Sequence, residues 1–130
     1  MLEDIMVGTT GTLTRLVEEK YCTTRGDHQI FSTPNLVLLL EETAIEALAP
    51  HLPPTQSSVG TRVDVAHSAA TLLGQKVTCT ATVTEVDRRR IVFDITATDG
   101  VESITSGSHE RFVVDLDKFG ARLAEKAAAL

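Results

Sequence analysis

Apolar residues crowd the stretch from Ser32 to Pro50 and then, from Ser58 onward, fall on every second position. The first pattern predicts a helix. Thr33 suits its N-cap and Pro34 its first helical position, and Pro50 with the pair Pro53–Pro54 ends it. On a helical wheel Pro34, Val37, Leu38, Ala44, Ile45 and Leu48 lie within about 60° of Glu41, so a carboxylate stands in the middle of an apolar stripe. The opposite side carries Leu36, Leu39, Thr43 and Ala47, and only Asn35, Glu42 and Glu46 make a polar strip. A helix apolar nearly all round is a buried one. At about fifteen residues it is too short to cross a bilayer. The expectation is a core helix with a sheet wrapped around it.

The second pattern predicts strands. Val59, Thr61, Val63, Val65, His67 and Ala69 share one face, with Gly60, Arg62, Asp64, Ala66 and Ser68 on the other. After a turn at Leu73–Gly74, Lys76 to Asp87 points Val77, Cys79, Ala81 and Val83 inward and a row of threonines outward, as suits a half-exposed sheet. Arg88 to Arg90 makes the next turn, and Ile91, Phe93, Ile95 and Ala97 mark a further strand. Asp99–Gly100 is a hairpin signal, leading into a last strand from Val101 to Leu116 and an alanine-rich helix from Asp117. Before the core helix, Gly11 to Tyr21 reads as a first strand and Cys22 to Phe31 as a loop. Strand, long helix and four strands on short turns give an α+β fold with an antiparallel sheet, as a single domain over residues 1–130.

Composition narrows the partners. A chain of 130 residues builds a core without staples. A net charge of −6 argues against nucleic acid or an acidic membrane as the main partner, and leaves room for an anionic ligand on a local basic patch. Cys22 and Cys79 form no disulfide framework and fit a reduced, cytoplasmic protein, and the first residues carry no signal-peptide pattern. No Cys/His spacing suits zinc and no dinucleotide, P-loop, nucleophile-elbow or zincin motif is present, so neither metal nor cofactor is expected.

Four residues are candidates for chemistry. Glu41 is ionisable on an apolar face, and His67 shares the inward strand face with Val63 and Val65. Thr33 offers a hydroxyl at the positive end of the helix, and Gly60 a backbone N–H open to close approach. Singly, a core histidine or a capping threonine is ordinarily structural. A carboxylate and an imidazole on two elements that pack together form a pair able to do general acid–base work. His109, Glu110 and Arg111 read as a charged edge strand. Arg88, Arg89 and Arg90 read as a solvated turn or, with Lys76, as a phosphate site.

The order of elements resembles the hot-dog fold. FSTPNLVLLLEETAIEALAPHL, VGTRVDVAHSAAT and GSHERFVVDLDKF resemble the fluoroacetyl-CoA thioesterase-like family over most of the chain. That resemblance implies Thr33, Glu41 and His67 as the catalytic residues and the Gly60 N–H as polariser of the thioester carbonyl. The reaction it implies is hydrolysis of a small or medium acyl-CoA, with CoA part of the substrate. An acyl-CoA binding protein and a hot-dog hydratase or dehydratase are the alternatives. The fluoroacetyl-specific enzyme has an aromatic-rich lid before the helix, and here Phe31 is the one aromatic near it, so fluoroacetyl selectivity is not expected. Thr33 and Glu41 are roughly 12 Å apart along the axis, which points to a homodimer or a dimer of dimers with its site at the subunit interface. Glu41 among apolar neighbours is expected to cost stability, so that Glu41→Met would be neutral or stabilising.

Overall fold

In the computed structural model, which describes residues 2–130, helix α1 runs Thr33–Leu48. Its N-cap is Ser32 rather than Thr33. The Ser32 hydroxyl accepts from the Asn35 backbone N–H at 3.4 Å and from the Asn35 side-chain amide at 2.7 Å. Pro34 then sits second, where a missing N–H costs nothing, and the Thr33 hydroxyl is left for another partner.

The rest is antiparallel sheet. Strands β1 (Thr10–Leu16), β4 (Gln56–His67), β5 (Lys76–Asp87), β6 (Arg90–Thr98) and β7 (Ser103–Asp115) form one five-stranded sheet in the order β1-β5-β6-β7-β4. The sheet curls over α1, the hot-dog arrangement. Inward Val77, Cys79, Ala81 and Val83 of β5 and Ile91, Phe93, Ile95 and Ala97 of β6 pack on Leu36, Leu39, Leu40, Ala44 and Leu48. Each fully buried leucine contributes about 1.5–3 kcal/mol. On the outer face the expected threonine row pairs with β1, Thr14 with Thr78 at 3.0 Å and Thr10 with Thr82 at 3.2 Å. Where β1 crosses α1, a Cβ on Gly11 would stand 2.7 Å from the Ala47 backbone nitrogen, so only glycine permits the approach. Helix α2 (Leu116–Ala128) lies along β7 with no buried residue. Among the described residues no helix is long and apolar enough to cross a membrane.

Three expectations change. The first strand ends at Leu16, and the segment read as a loop is a hairpin, β2 (Cys22–Arg25) with β3 (His28–Phe31). Its two-residue turn is Gly26–Asp27, and Gly26 has φ +58°, as such hairpins require. Second, α1 buries Leu36, Leu39, Leu40, Thr43, Ala44, Ala47 and Leu48. The stripe around Glu41 faces outward instead, with Leu38 and Ile45 each 45% exposed. Third, β4 carries a bulge at Thr61. Gly60 pairs with Arg111 and Arg62 with Glu110, so the alternation shifts by one residue. Gly60 therefore lies on the same inward face as Val63, Val65 and His67, and Val59 on the outer face with Phe112.

Candidate active site

Two polar clusters lie along α1. At its N-terminus the Thr33 hydroxyl and His67 Nδ1 are 2.8 Å apart. Thr33 is free to make this contact because Ser32 caps the helix. His67 ends β4, paired with Thr105 of β7. Burial lowers its pKa below 6.5, so the ring is neutral at pH 7. The Ala69 backbone opposes this shift without reaching hydrogen-bond geometry at the other ring nitrogen, and Nε2 is buried with no partner among the described residues. An open cavity of about 370 Å³ lies against this pair, walled by Thr33, Pro34, Phe31, Thr23, Arg25 and the His67–Ala70 turn. The ring lines the cavity while its Nε2 is itself buried, so a ligand that meets the Thr33–His67 pair and reaches Nε2 finds a neutral imidazole able to exchange a proton.

Two turns further on, Glu41 meets Arg111 and not His67. Arg111 Nη1 donates to Glu41 Oε1 at 3.4 Å. Arg111 is only 5% exposed, against 34% for Glu41. Its other donors are held by Ser58, with Nε to Oγ at 2.8 Å and Nη2 to the carbonyl at 3.0 Å. His109 completes the cluster. Its Nδ1 lies 2.7 Å from the Arg62 carbonyl, which only accepts, so Nδ1 carries the proton. Nε2, 3.2 Å from Arg111 Nη1, is then the acceptor. The ring is neutral, and burial first, then the Arg111 charge, keeps its pKa below 6.5. The Thr61 bulge supplies the geometry, since it turns both the Arg62 carbonyl and Gly60 toward this cluster. A Cβ on Gly60 would collide with the Glu41 carboxylate and stand 3.3 Å from Arg111 Nη1.

The expected trio is thus divided within one chain, with Thr33 and His67 together and Glu41 and Gly60 together. Arg111 and His109, read as parts of a charged edge strand, are buried in a strand flanked by β6 and β4. Their parity with inward Val113 was the available signal. The stability expected from Glu41→Met also changes, because that substitution leaves the buried Arg111 without its carboxylate. The basic turn is largely committed within the chain. Arg89 bonds Asp115 at 3.1 Å, and Arg90 bonds Glu85 at 2.6 Å and Glu110 at 2.7 Å. Arg88 stands in water beside Asp87 at 3.4 Å, and neither these arginines nor Lys76 lines the Thr33–His67 cavity. Among the described residues no group of histidine, cysteine and carboxylate side chains is arranged to hold a metal.

Residues 12–117 match the family model described as fluoroacetyl-CoA-specific thioesterase. The chain is 43% identical over 101 residues to the fluoroacetyl-CoA thioesterase of Streptantibioticus cattleyicolor, covering 78% of this chain and 73% of that one. The solved structure of the fluoroacetyl-CoA thioesterase FlK superposes with a TM-score of 0.86 at 35% identity, over 94% of this chain and 97% of the other. A hot-dog-like protein from Thermanaerovibrio acidaminovorans gives a TM-score of 0.86 at 31% identity, over 95% and 94%.

Proposed function

The chain belongs to the fluoroacetyl-CoA-specific thioesterase family, and from that premise we propose that it hydrolyses small or medium acyl-CoA thioesters to the free acid and CoA. The observation that carries the site is the His67 imidazole, tied to Thr33 through Nδ1, lining an open cavity and carrying a buried Nε2 with no partner among the described residues. A thioester needs its carbonyl polarised, an attacking oxygen, and a proton for the departing thiolate. The N-terminus of α1 and the Gly60 N–H are the donors for the developing oxyanion. Glu41, one-third exposed and held by Arg111, is the nucleophile or the base that activates water. His67, neutral at rest, takes up the proton released by the attacking water and returns it to the thiolate, with Thr33 fixing the ring. These steps draw on side chains and backbone amides, with no resident cofactor.

The active form is a homodimer, or a dimer of dimers, in which Thr33 and His67 of one copy work with Glu41 and Gly60 of the other. Three features support this. Thr33 and Glu41 point from sites two helical turns apart. Leu38 and Ile45 flank Glu41 with 45% of their surface exposed. The twelve-residue β4, next to them, is an open sheet edge whose inward Val63 is 40% exposed. CoA phosphates dock on the basic turn outside the cavity, Arg88 ahead of Arg89 and Arg90, whose ion pairs would have to be exchanged, while Lys76 stands at the opposite end of β5 and shares no phosphate site with them. Two unpaired cysteines favour a cytoplasmic setting. With a hairpin where the fluoroacetyl-specific enzyme has an aromatic lid, acyl tolerance is broad.

Thiol release from acetyl-, fluoroacetyl-, propionyl-, butyryl- and longer acyl-CoA esters tests the reaction. Turnover of several esters with no marked fluoroacetyl preference is expected. Binding without thiol release would make the chain an acyl-CoA carrier. Mixing inactive His67→Asn with inactive Glu41→Gln protein tests the shared site. Activity should return as subunits exchange, and a mixture that stays inactive after exchange would place each site within one chain.

A further inference from the structure

We propose that the cavity beside Thr33 and His67 accepts short acyl groups ending in a carboxylate, and that Arg25 receives that carboxylate. The proposal rests on the thioesterase reading and names its substrate class. Arg25 is the one cation among the residues walling the cavity, and no acidic residue walls it. Of the twelve lysines and arginines of the chain, eight hold a carboxylate within the chain. Arg25, Lys76, Arg122 and Lys126 hold none among the described residues, and of these four only Arg25 borders the cavity.

The backbone holds Arg25 in place. It forms the last pair of the β2–β3 hairpin, opposite His28, before the tight Gly26–Asp27 turn. The hairpin is tied down by buried Phe31, whose N–H donates to the Thr71 carbonyl at 2.8 Å, and by Ser32, whose N–H donates to the Tyr21 carbonyl at 2.9 Å. One guanidinium nitrogen donates to the Thr24 carbonyl at 2.9 Å, which leaves the other N–H groups for a planar bidentate partner. Asp27, two residues away, does not pair with it.

Two anions travel with such a substrate, and cavity size separates them. The first phosphate of CoA lies a whole pantetheine arm from the sulfur, too far to share a cavity of about 370 Å³ with a thioester at Thr33 and His67. A carboxylate at the far end of a three- to five-carbon acyl chain lies within one such space. Arg25 is itself exposed and hydrated, so an alkyl chain of the same length gains nothing from its guanidinium, whereas a terminal carboxylate can pair with it.

The test compares succinyl-CoA with butyryl-CoA, equal in acyl length, in the wild type, Arg25→Met and Arg25→Glu. The wild type should favour succinyl-CoA in kcat/KM by about fivefold, the upper scale of a solvent-exposed ion pair. The preference should collapse in Arg25→Met and invert in Arg25→Glu, and should persist in the wild type with N-acetylcysteamine thioesters, which carry no phosphate. Butyryl-CoA turnover with no preference for succinyl-CoA would overturn the proposal and leave the thioesterase reading intact. Arg25→Met lowering both CoA esters alike and neither N-acetylcysteamine ester would assign Arg25 to the phosphates and overturn it too. No hydrolysis of any ester by the wild type would remove the thioesterase reading and this proposal with it.

Discussion

The two polar clusters on α1 are built in opposite ways. Around Arg111 the bonding is closed, since Ser58, His109 and Glu41 take its donors and His109 is in turn satisfied by the Arg62 carbonyl. Around His67 it is open, with one bond to Thr33 and a buried nitrogen left over beside a cavity. A closed network in a low-dielectric interior stabilises the fold and is sensitive to any missing member. An open one contributes little to folding and has capacity for a ligand. Stability and chemistry should therefore separate along the helix.

His67→Asn is the largest test of that separation. General acid–base groups supply roughly 10²–10⁴ in rate, so kcat for acyl-CoA hydrolysis should fall by that factor. The fold loses a single hydrogen bond to exposed Thr33, about 1 kcal/mol or less. Rate and thermal midpoint measured on one preparation decide it. A variant that unfolds early while its folded fraction turns over normally would assign His67 to the structural side.

Arg111→Met should show the reverse emphasis. It strands the Ser58 carbonyl, His109 Nε2 and Glu41, and breaking a buried pair costs roughly 3–5 kcal/mol. Glu41 keeps a third of its surface in water, so we expect about 3 kcal/mol from denaturant unfolding. Glu41→Met should also destabilise, by less, because Arg111 retains Ser58 and His109. A stability equal to wild type in both variants would show that the closed network contributes nothing.

The sequence makes the sheet far more legible than the site. The β5 and β6 strands alternate cleanly, so their inward residues follow from period two. A helix apolar all round does not say which side meets the sheet, and here the Glu41 stripe faces away from it. The Thr61 bulge carries no signal in residue type, yet it decides that Gly60 meets Glu41. The β2–β3 strands are four residues each and half-buried, too short for a period to emerge, although Gly26–Asp27 was a usable turn signal. Thr33 and His67 are candidates by position and by family resemblance, and the structure brings their side chains together, while Arg111 escapes notice because a charged residue in a strand suggests an edge.

Acid should disturb the closed cluster before the pH reaches the carboxylate range. His109 has a lowered folded pKa, so above 6.5 it is neutral folded or unfolded and costs nothing. As the pH falls from 6.5 toward the lowered folded value, the unfolded chain binds the proton first and stability is lost. One proton limits the slope to about 1.4 kcal/mol per pH unit. Arg111 opposes the charged ring, while Glu41 and Glu110 favour it. His67, also lowered, adds in the same window without an adjacent cation. Unfolding titrations from pH 7.5 to 5 should show the loss, and His109→Gln should flatten the curve more than His67→Gln. Equal flattening would mean that the Arg111 charge does not distinguish the two rings.

The finest form of the contrast lies between two neighbouring hydroxyls. Ser32 is buried and caps α1 through Asn35, while Thr33 is exposed and spends its hydroxyl on His67. Ser32→Ala should therefore cost about 1 kcal/mol of stability, the usual worth of an N-cap, and leave the His67 ring where it is. Thr33→Val keeps the shape, removes the bond to Nδ1 and should change stability by less than about 0.5 kcal/mol. Its effect belongs in kcat and in the pH at which turnover rises, because His67 loses the group that fixes its ring. If Thr33→Val proved the more destabilising of the two while turnover held, Thr33 would be the cap, and the open cluster at the head of the helix would be structural after all.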